Sequence, residues 1–146
     1  MNTDINATKK EIINRISSTI TTIQDVADYH KINFRGFPAA TVTVSENDNE
    51  FWSVGENQRA FNFDLDIYCQ ISQNINNVDD SAIQSAERIM GNVVSEVIDS
   101  FDSFTEFGGN ANYLRAAPSS WDYAEIGEGY CRHAKIKLQV VKLRVN

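Results

Sequence analysis

The segment from Phe61 to Ile71 leaves this chain little choice of fold. Phe61, Phe63, Leu65, Ile67, Cys69 and Ile71 alternate with Asn62, Asp64, Asp66, Tyr68 and Gln70. A period of two sends the first set to one face of a strand and the second set to the other. The segment therefore reads as a strand with one buried and one polar face. Such a strand needs neighbours to pair with and an apolar layer to cover it.

The rest of the chain supplies both. Ala40, Val42 and Val44 alternate with Ala39, Thr41 and Thr43. Pro38 fits the first residue of that strand, where its missing N–H costs little. Residues 45–57 read as a polar loop between the two strands. Two stretches carry the helical period instead. In residues 5–28 the apolar positions are Ile5, Ile12, Ile13, Ile16, Ile20, Ile23, Val26 and Ala27. Thr8 followed by Glu11 fits a capping box, and Thr3 and Asp4 offer an earlier start. The Ser and Thr run from Ser17 to Thr22 weakens helix propensity, so packing must hold the second half.

The second helix is expected from about Asp80 to Phe101. Its stripe is Ala82, Ile83, Ala86, Ile89, Met90, Val93, Val94, Val97, Ile98 and Phe101, with Asp79, Asp80 and Ser81 as N-cap candidates. Gly108 and Gly109 open a weakly patterned stretch to about Ser120. Trp121 to Ile126 read as a short edge strand, and Gly127 and Gly129 suit a turn. The last strand has Ala134, Ile136, Leu138 and Val140 in phase. The phase then flips to Val141, Leu143 and Val145, as a bulge or two-sided burial would produce.

The order α-β-β-α-β-β predicts an α+β domain of two layers, with two helices packed on one face of a mostly antiparallel four-stranded sheet. With no repeat or linker, residues 1–146 read as a single domain. The other sheet face would carry Asp64, Asp66 and Tyr68 with His133, Lys135 and Lys137. If the second and last strands are neighbours, opposite charges face each other there, at some tenths of a kcal/mol per pair.

Composition excludes several functions. The formal net charge is −7, and the only basic run is a modest one, Lys135, Lys137, Lys142 and Arg144. Phosphate binding rests on clustered cations, so sequence-independent nucleic-acid binding is not expected. No apolar run reaches the roughly 20 residues of a membrane helix. The start, MNTDINATKKEIIN, lacks the apolar segment of a signal peptide. The protein is therefore expected to be made and used in, or assembled from, a cytoplasm. Cys69 and Cys131 are too few for a disulfide framework or a zinc pattern, and Cys69 falls on an apolar phase as a small buried hydrophobe.

Catalysis requires convergent groups. Asp64 and Asp66 share a strand face, as an acid–base pair would, but Lys135 and Lys137 favour a salt-bridged face. His30 lies just past the first helix and His133 on a polar strand phase, neither near a Ser or Cys nucleophile motif. Glu46, Asp48 and Glu50 lack the turn glycine and terminal Glu of a calcium loop. Gly127-Glu128-Gly129 lacks the Lys-Ser/Thr of a phosphate cradle. No catalytic, cofactor or metal residue is expected, and the chain does not read as an enzyme. Phe51 and Trp52, in a charged loop, suit either interface anchors or a fold-back onto the domain's own sheet. Phe104, Phe107, Tyr113 and Leu114 lie in the long segment after the second helix, where neighbours would cover them.

The stretch Phe37-Pro38-Ala39-Ala40-Thr41-Val42-Thr43-Val44, Ser45-Glu46-Asn47, then Asn57-Gln58-Arg59-Ala60-Phe61-Asn62-Phe63 and Leu65-Asp66-Ile67-Tyr68 resembles the hairpin of phage tail terminator (tail completion, head–tail joining) proteins. The helix from Ala86-Glu87-Arg88-Ile89 to Asp99-Ser100-Phe101 is similar to the helix after that hairpin, and Ala134-Lys135-Ile136-Lys137-Leu138 to the closing strand. The resemblance covers most of residues 36–140, with motifs of moderate specificity; Gly108 to Ser120 departs from it. It implies a virion protein forming a homo-oligomeric ring, typically a hexamer, at the head-proximal end of the tail tube. The ring ends tube polymerisation, with the tail tube protein below and a head-completion or adaptor protein above. DNA passes its bore without specific binding, and no cofactor, catalysis or membrane is involved. Carried onto this chain as protein contacts are Glu46, Asp48, Glu50, Phe51, Trp52 and Arg59. The alternatives are another virion ring component (head-completion, tube or baseplate protein) or a small cytosolic ligand-binding module. The last requires a concave pocket lined by Asp64, Asp66 and His133.

Overall fold

A computed structural model describes residues 5–45, 52–53, 58–102, 112–127 and 129–143. At 52–53, 58–61, 102, 112–114 and 141–143 it describes the backbone alone. The chain runs α1 (Ile5–Thr19), β1 (Asp25–Ala27), β2 (Ala39–Val44), β3 (Trp52–Ser53), β4 (Gln58–Ser72), a 3-10 turn (Ile75–Asn77), α2 (Asp80–Asp102), β5 (Asn112–Ile126) and β6 (Gly129–Leu143). The sheet order is β1-β2-β4-β6-β5, with β3 pairing beside β4. Among the described strands only β1–β2 is parallel. The α+β class is as expected, but the four-strand order is corrected by β1 and β3.

The alternating strand sits at the centre. Phe63, Leu65, Ile67, Cys69 and Ile71 of β4 turn to the helices, together with Ala40 and Val42 of β2 and Ala134, Ile136, Leu138 and Val140 of β6. Ile12, Ile16 and Ile20 pack on them from the α1 side, and Ala86, Met90, Val93, Val94, Val97 and Phe101 from α2. Burial of each large apolar side chain contributes about 1.5–3 kcal/mol, so this layer fixes the register of β4. The helices also touch directly: Arg15 Nη2 donates to Ser100 O at 3.2 Å, and Thr19 Oγ1 lies 3.0 Å from Ser100 Oγ.

Three boundaries differ from the sequence reading. The first helix ends at Thr19, well short of residue 28. Ser18 and Thr19 hydroxyls both bond back to Arg15 O, the competition that makes such residues poor helix continuers. Val26 and Ala27, which extended the helical spacing, lie in β1. Thr8 is buried inside α1, so it is not the cap of a box with Glu11; Thr3 and Asp4 lie outside the described residues. His30 accordingly follows β1 and does not stand at a helix end.

The expected 45–57 loop contains β3, whose Trp52 and Ser53 pair with Ala60 and Arg59. The expected short strand at 121–126 is the second half of β5, which starts at Asn112. Its register shifts between Pro118 and Ser120, and that of β4–β6 between Gln70 and Ser72. Pairing runs through Val140 and Val141 without a shift, so no bulge lies at the phase flip. α2 begins as expected: Asp79 Oδ1 accepts from Ala82 N at 2.8 Å, a helix N-cap.

Candidate functional site

The face of the sheet away from the helices is a grid of polar side chains. Register puts Ala39, Tyr68, His133 and Asp122 in one row across four strands. Thr41, Asp66, Lys135 and Ser120 form the next row, and Thr43, Asp64, Lys137 and Ala117 the third. The second and last strands are thus neighbours, and opposite charges do face each other. Lys135 and Lys137 approach Asp64 at 3.7 and 3.8 Å. Asp66 reaches diagonally to His133, Oδ1 to Nε2 2.6 Å. Asp64, at 4% exposure, is more buried than a solvated face would leave it.

His133 is held on both sides. Its Nδ1 lies 2.5 Å from Asp122 Oδ1 on β5 and its Nε2 against Asp66 on β4. Burial opposes the imidazolium charge, yet hydrogen bonds and the field of the two carboxylates outweigh it and raise the pKa above the ordinary histidine value. Tyr68 stacks on the ring, centroids 4.8 Å apart. Arg132 Nη1 also donates to the Asp122 carbonyl at 2.9 Å, so that residue is held by both His133 and Arg132.

The β1–β2 connection closes over one end of this face. Phe34 contacts both Phe37 and Tyr68, each pair at 5.6 Å between centroids. Its anchor is Asp25, whose side chain is 1% exposed. Asp25 accepts from Lys31 Nζ at 2.8 Å, the Arg35 amide at 2.9 Å and Arg35 Nη2 at 3.3 Å. Burial pushes its pKa up, but these three donors outweigh that and leave it below the usual carboxylate range. A cavity of about 460 Å³ lined by Phe34, Phe37, Gln70, Gln73 and Ile89, among others, lies beside this segment.

On the helix side, the far edge of the sheet is aromatic. Arg132 lies over the rings of Trp121 and Tyr123, 5.3 and 4.6 Å from their centroids, and bonds Glu87 of α2 at 2.7 Å. Tyr123 stacks on Tyr130. Trp121 and Tyr123 remain 38% and 45% exposed. A cavity of about 760 Å³ runs between Tyr123 and α2, lined by Ile83, Glu87, Arg88, Tyr123 and Arg132 in part. Neither this cavity nor the first is lined by Asp64, Asp66 or His133.

Of the expected contact residues, Glu46, Asp48, Glu50 and Phe51 lie outside the described residues, as do Phe104 and Phe107. Trp52 and Arg59 are placed by backbone pairing in the β3–β4 hairpin, one step apart in register. Both cysteines are buried free thiols, Cys69 toward the helices and Cys131 on the opposite face beside Gln70. Among the described residues, no group of His, Cys, Asp and Glu is placed to hold a metal ion. Among the same residues, no helix is long and apolar enough to cross a membrane.

Sequence reasoning missed Asp122 as a partner of His133, although a signal existed. Counting outward from the Gly127–Gly129 turn brings Asp122 opposite His133. No protein-family model matches the chain, and no curated protein matches it in sequence.

Proposed function

We propose that this chain is a structural subunit that works by binding copies of itself and neighbouring proteins, without catalysis, as a ring at the head-proximal end of a phage tail tube. The observation that carries the assembly reading is β5. Among the described residues it is a 15-residue strand with a neighbour on one side only, and it bears the half-exposed Trp121 and Tyr123. An edge strand offers unpaired backbone donors and acceptors, and large aromatics beside it are the residue types that anchor interfaces. The resemblance of residues 36–140 to tail terminator proteins supports the more specific role. The occupied nitrogens of His133 also favour a binding role over acid–base chemistry.

Sedimentation of the purified chain over a wide concentration range, with and without preformed tail tubes, tests this. The expected result is a closed oligomer that seats on tube ends and stops their growth. Trp121→Ser and Tyr123→Ser together are expected to weaken association at least about tenfold, since interface aromatics commonly contribute 2 kcal/mol or more. A chain that stays monomeric at every concentration and ignores tubes would refute the reading. Oligomers that bind elsewhere in the particle would favour another virion ring component.

A further inference from the structure

Asp66, His133 and Asp122 come from three adjacent strands, β4, β6 and β5. An ionised carboxylate can only accept hydrogen bonds. With a carboxylate oxygen against each ring nitrogen, His133 must donate from both, and only the imidazolium has two N–H groups. We infer that these residues form a proton-held clasp, in which the His133 cation ties the edge strand β5 across β6 to β4 and so governs how firmly that edge is presented. Its bearing on assembly rests on the subunit reading above; the clasp itself does not.

The surroundings leave this work to His133. Facing it from β4 are Asp66 and the neutral phenol of Tyr68, from β5 Asp122, and on β6 itself Cys131 and Lys135. Lys135 is directed at Asp64. Phe34, from the covering segment, reaches Tyr68 and brings no charge. Arg132, the other side chain that grips Asp122, does so through the backbone carbonyl. Loss of one proton from His133 therefore removes a donor from one of its two carboxylates and leaves those anions facing a neutral ring. Beyond its ladder to β6 and the contacts of Trp121 and Tyr123 with Arg132 and Tyr130, β5 is largely open. Most of its residues from Arg115 to Glu125 are exposed, and Ala116 is the sole buried one among its described side chains.

The test is a pH titration of the isotope-labelled chain by NMR, reading the ring nitrogens of His133 and amide hydrogen exchange along residues 120–126. A histidine peptide titrating near about 6.5 serves as reference. Both ring nitrogens of His133 are expected to keep their protons well above the reference midpoint. As His133 deprotonates, exchange in 120–126 is expected to rise severalfold beyond its intrinsic increase with pH, because a hydrogen bond that holds β5 is lost. Asp122→Asn, a change at a 60% exposed side chain, should move the His133 midpoint down toward the reference and give the faster exchange at neutral pH. A His133 that titrates with the reference, holds a single proton in the folded chain at neutral pH, or leaves β5 exchange unchanged would overturn the clasp. Sedimentation over the same pH range separates the two ideas. If His133 and β5 respond while association does not, the clasp stands and β5 is not the assembly edge.

Discussion

Tyr68 and His133 meet ring to ring across the β4–β6 pair, with planes 19° from parallel. Burial, then the negative charges of Asp66 and Asp122, push the Tyr68 phenol up to about 12. Tyr68→Phe should therefore subtract a phenol from the alkaline absorbance titration only near that pH. The ring itself matters more than its hydroxyl. Tyr68→Phe should cost under about 1 kcal/mol in urea unfolding, and Tyr68→Ala about 3 kcal/mol, the usual range for emptying an aromatic site.

The raised pKa of His133 carries a stability signature with a definite sign. A group that binds its proton more tightly when folded stabilises the fold fully below its unfolded pKa, about 6.5. That contribution is lost as pH rises through the higher folded value. Urea midpoints measured from acid-neutral to alkaline pH should fall across this window. The fall should be smaller in Asp122→Asn, which removes one of the carboxylates that raise the pKa.

Asp25 has the opposite sign. Its folded pKa lies below the ordinary value because Lys31 and Arg35 favour the anion. The stabilisation is present above about 3.9 and is lost as pH falls through the folded value. Asp25→Asn should cost roughly 1–3 kcal/mol at neutral pH, as a buried charge-assisted set loses its acceptor. Phe34 and Phe37 sit on the segment it anchors, so proteolysis within residues 28–38 should quicken in the same variant.

The two thiols should be silent in the folded chain. Burial pushes Cys69 to about 12, with Cys131 adding to it, and burial alone pushes Cys131 to about 11. Thiolate is the reacting form, so a soluble disulfide reagent at neutral pH should label both cysteines only as fast as the chain opens. Rapid labelling without denaturant would contradict their burial.

What could be read from the sequence follows from how each element is buried. β4 and α2 announce themselves because each divides cleanly into an apolar and a polar side, and β4 and β6 share a phase that implied their charge ladder. The first half of β5 escaped because an edge strand exposed on both faces has little alternation to show: Ala117, Pro118, Ser119 and Ser120 are all open to solvent. β1 escaped for a different reason. Val26 and Ala27 fit the helical spacing of the preceding stretch, and a three-residue strand is too short to display a period of its own. The site was legible in part, since the polar grid was expected and its His–Asp contact to β5 needed the hairpin register.

The shift between Pro118 and Ser120 interrupts the register of the outermost ribbon near its middle. A proline has no N–H for a further ladder, and displaced register on either side of it keeps an incoming chain from zipping along the full length. Pairing is thereby confined to one half or the other, which suits a neighbour arriving in a single orientation. The same interruption discourages endless stacking into cross-β fibres.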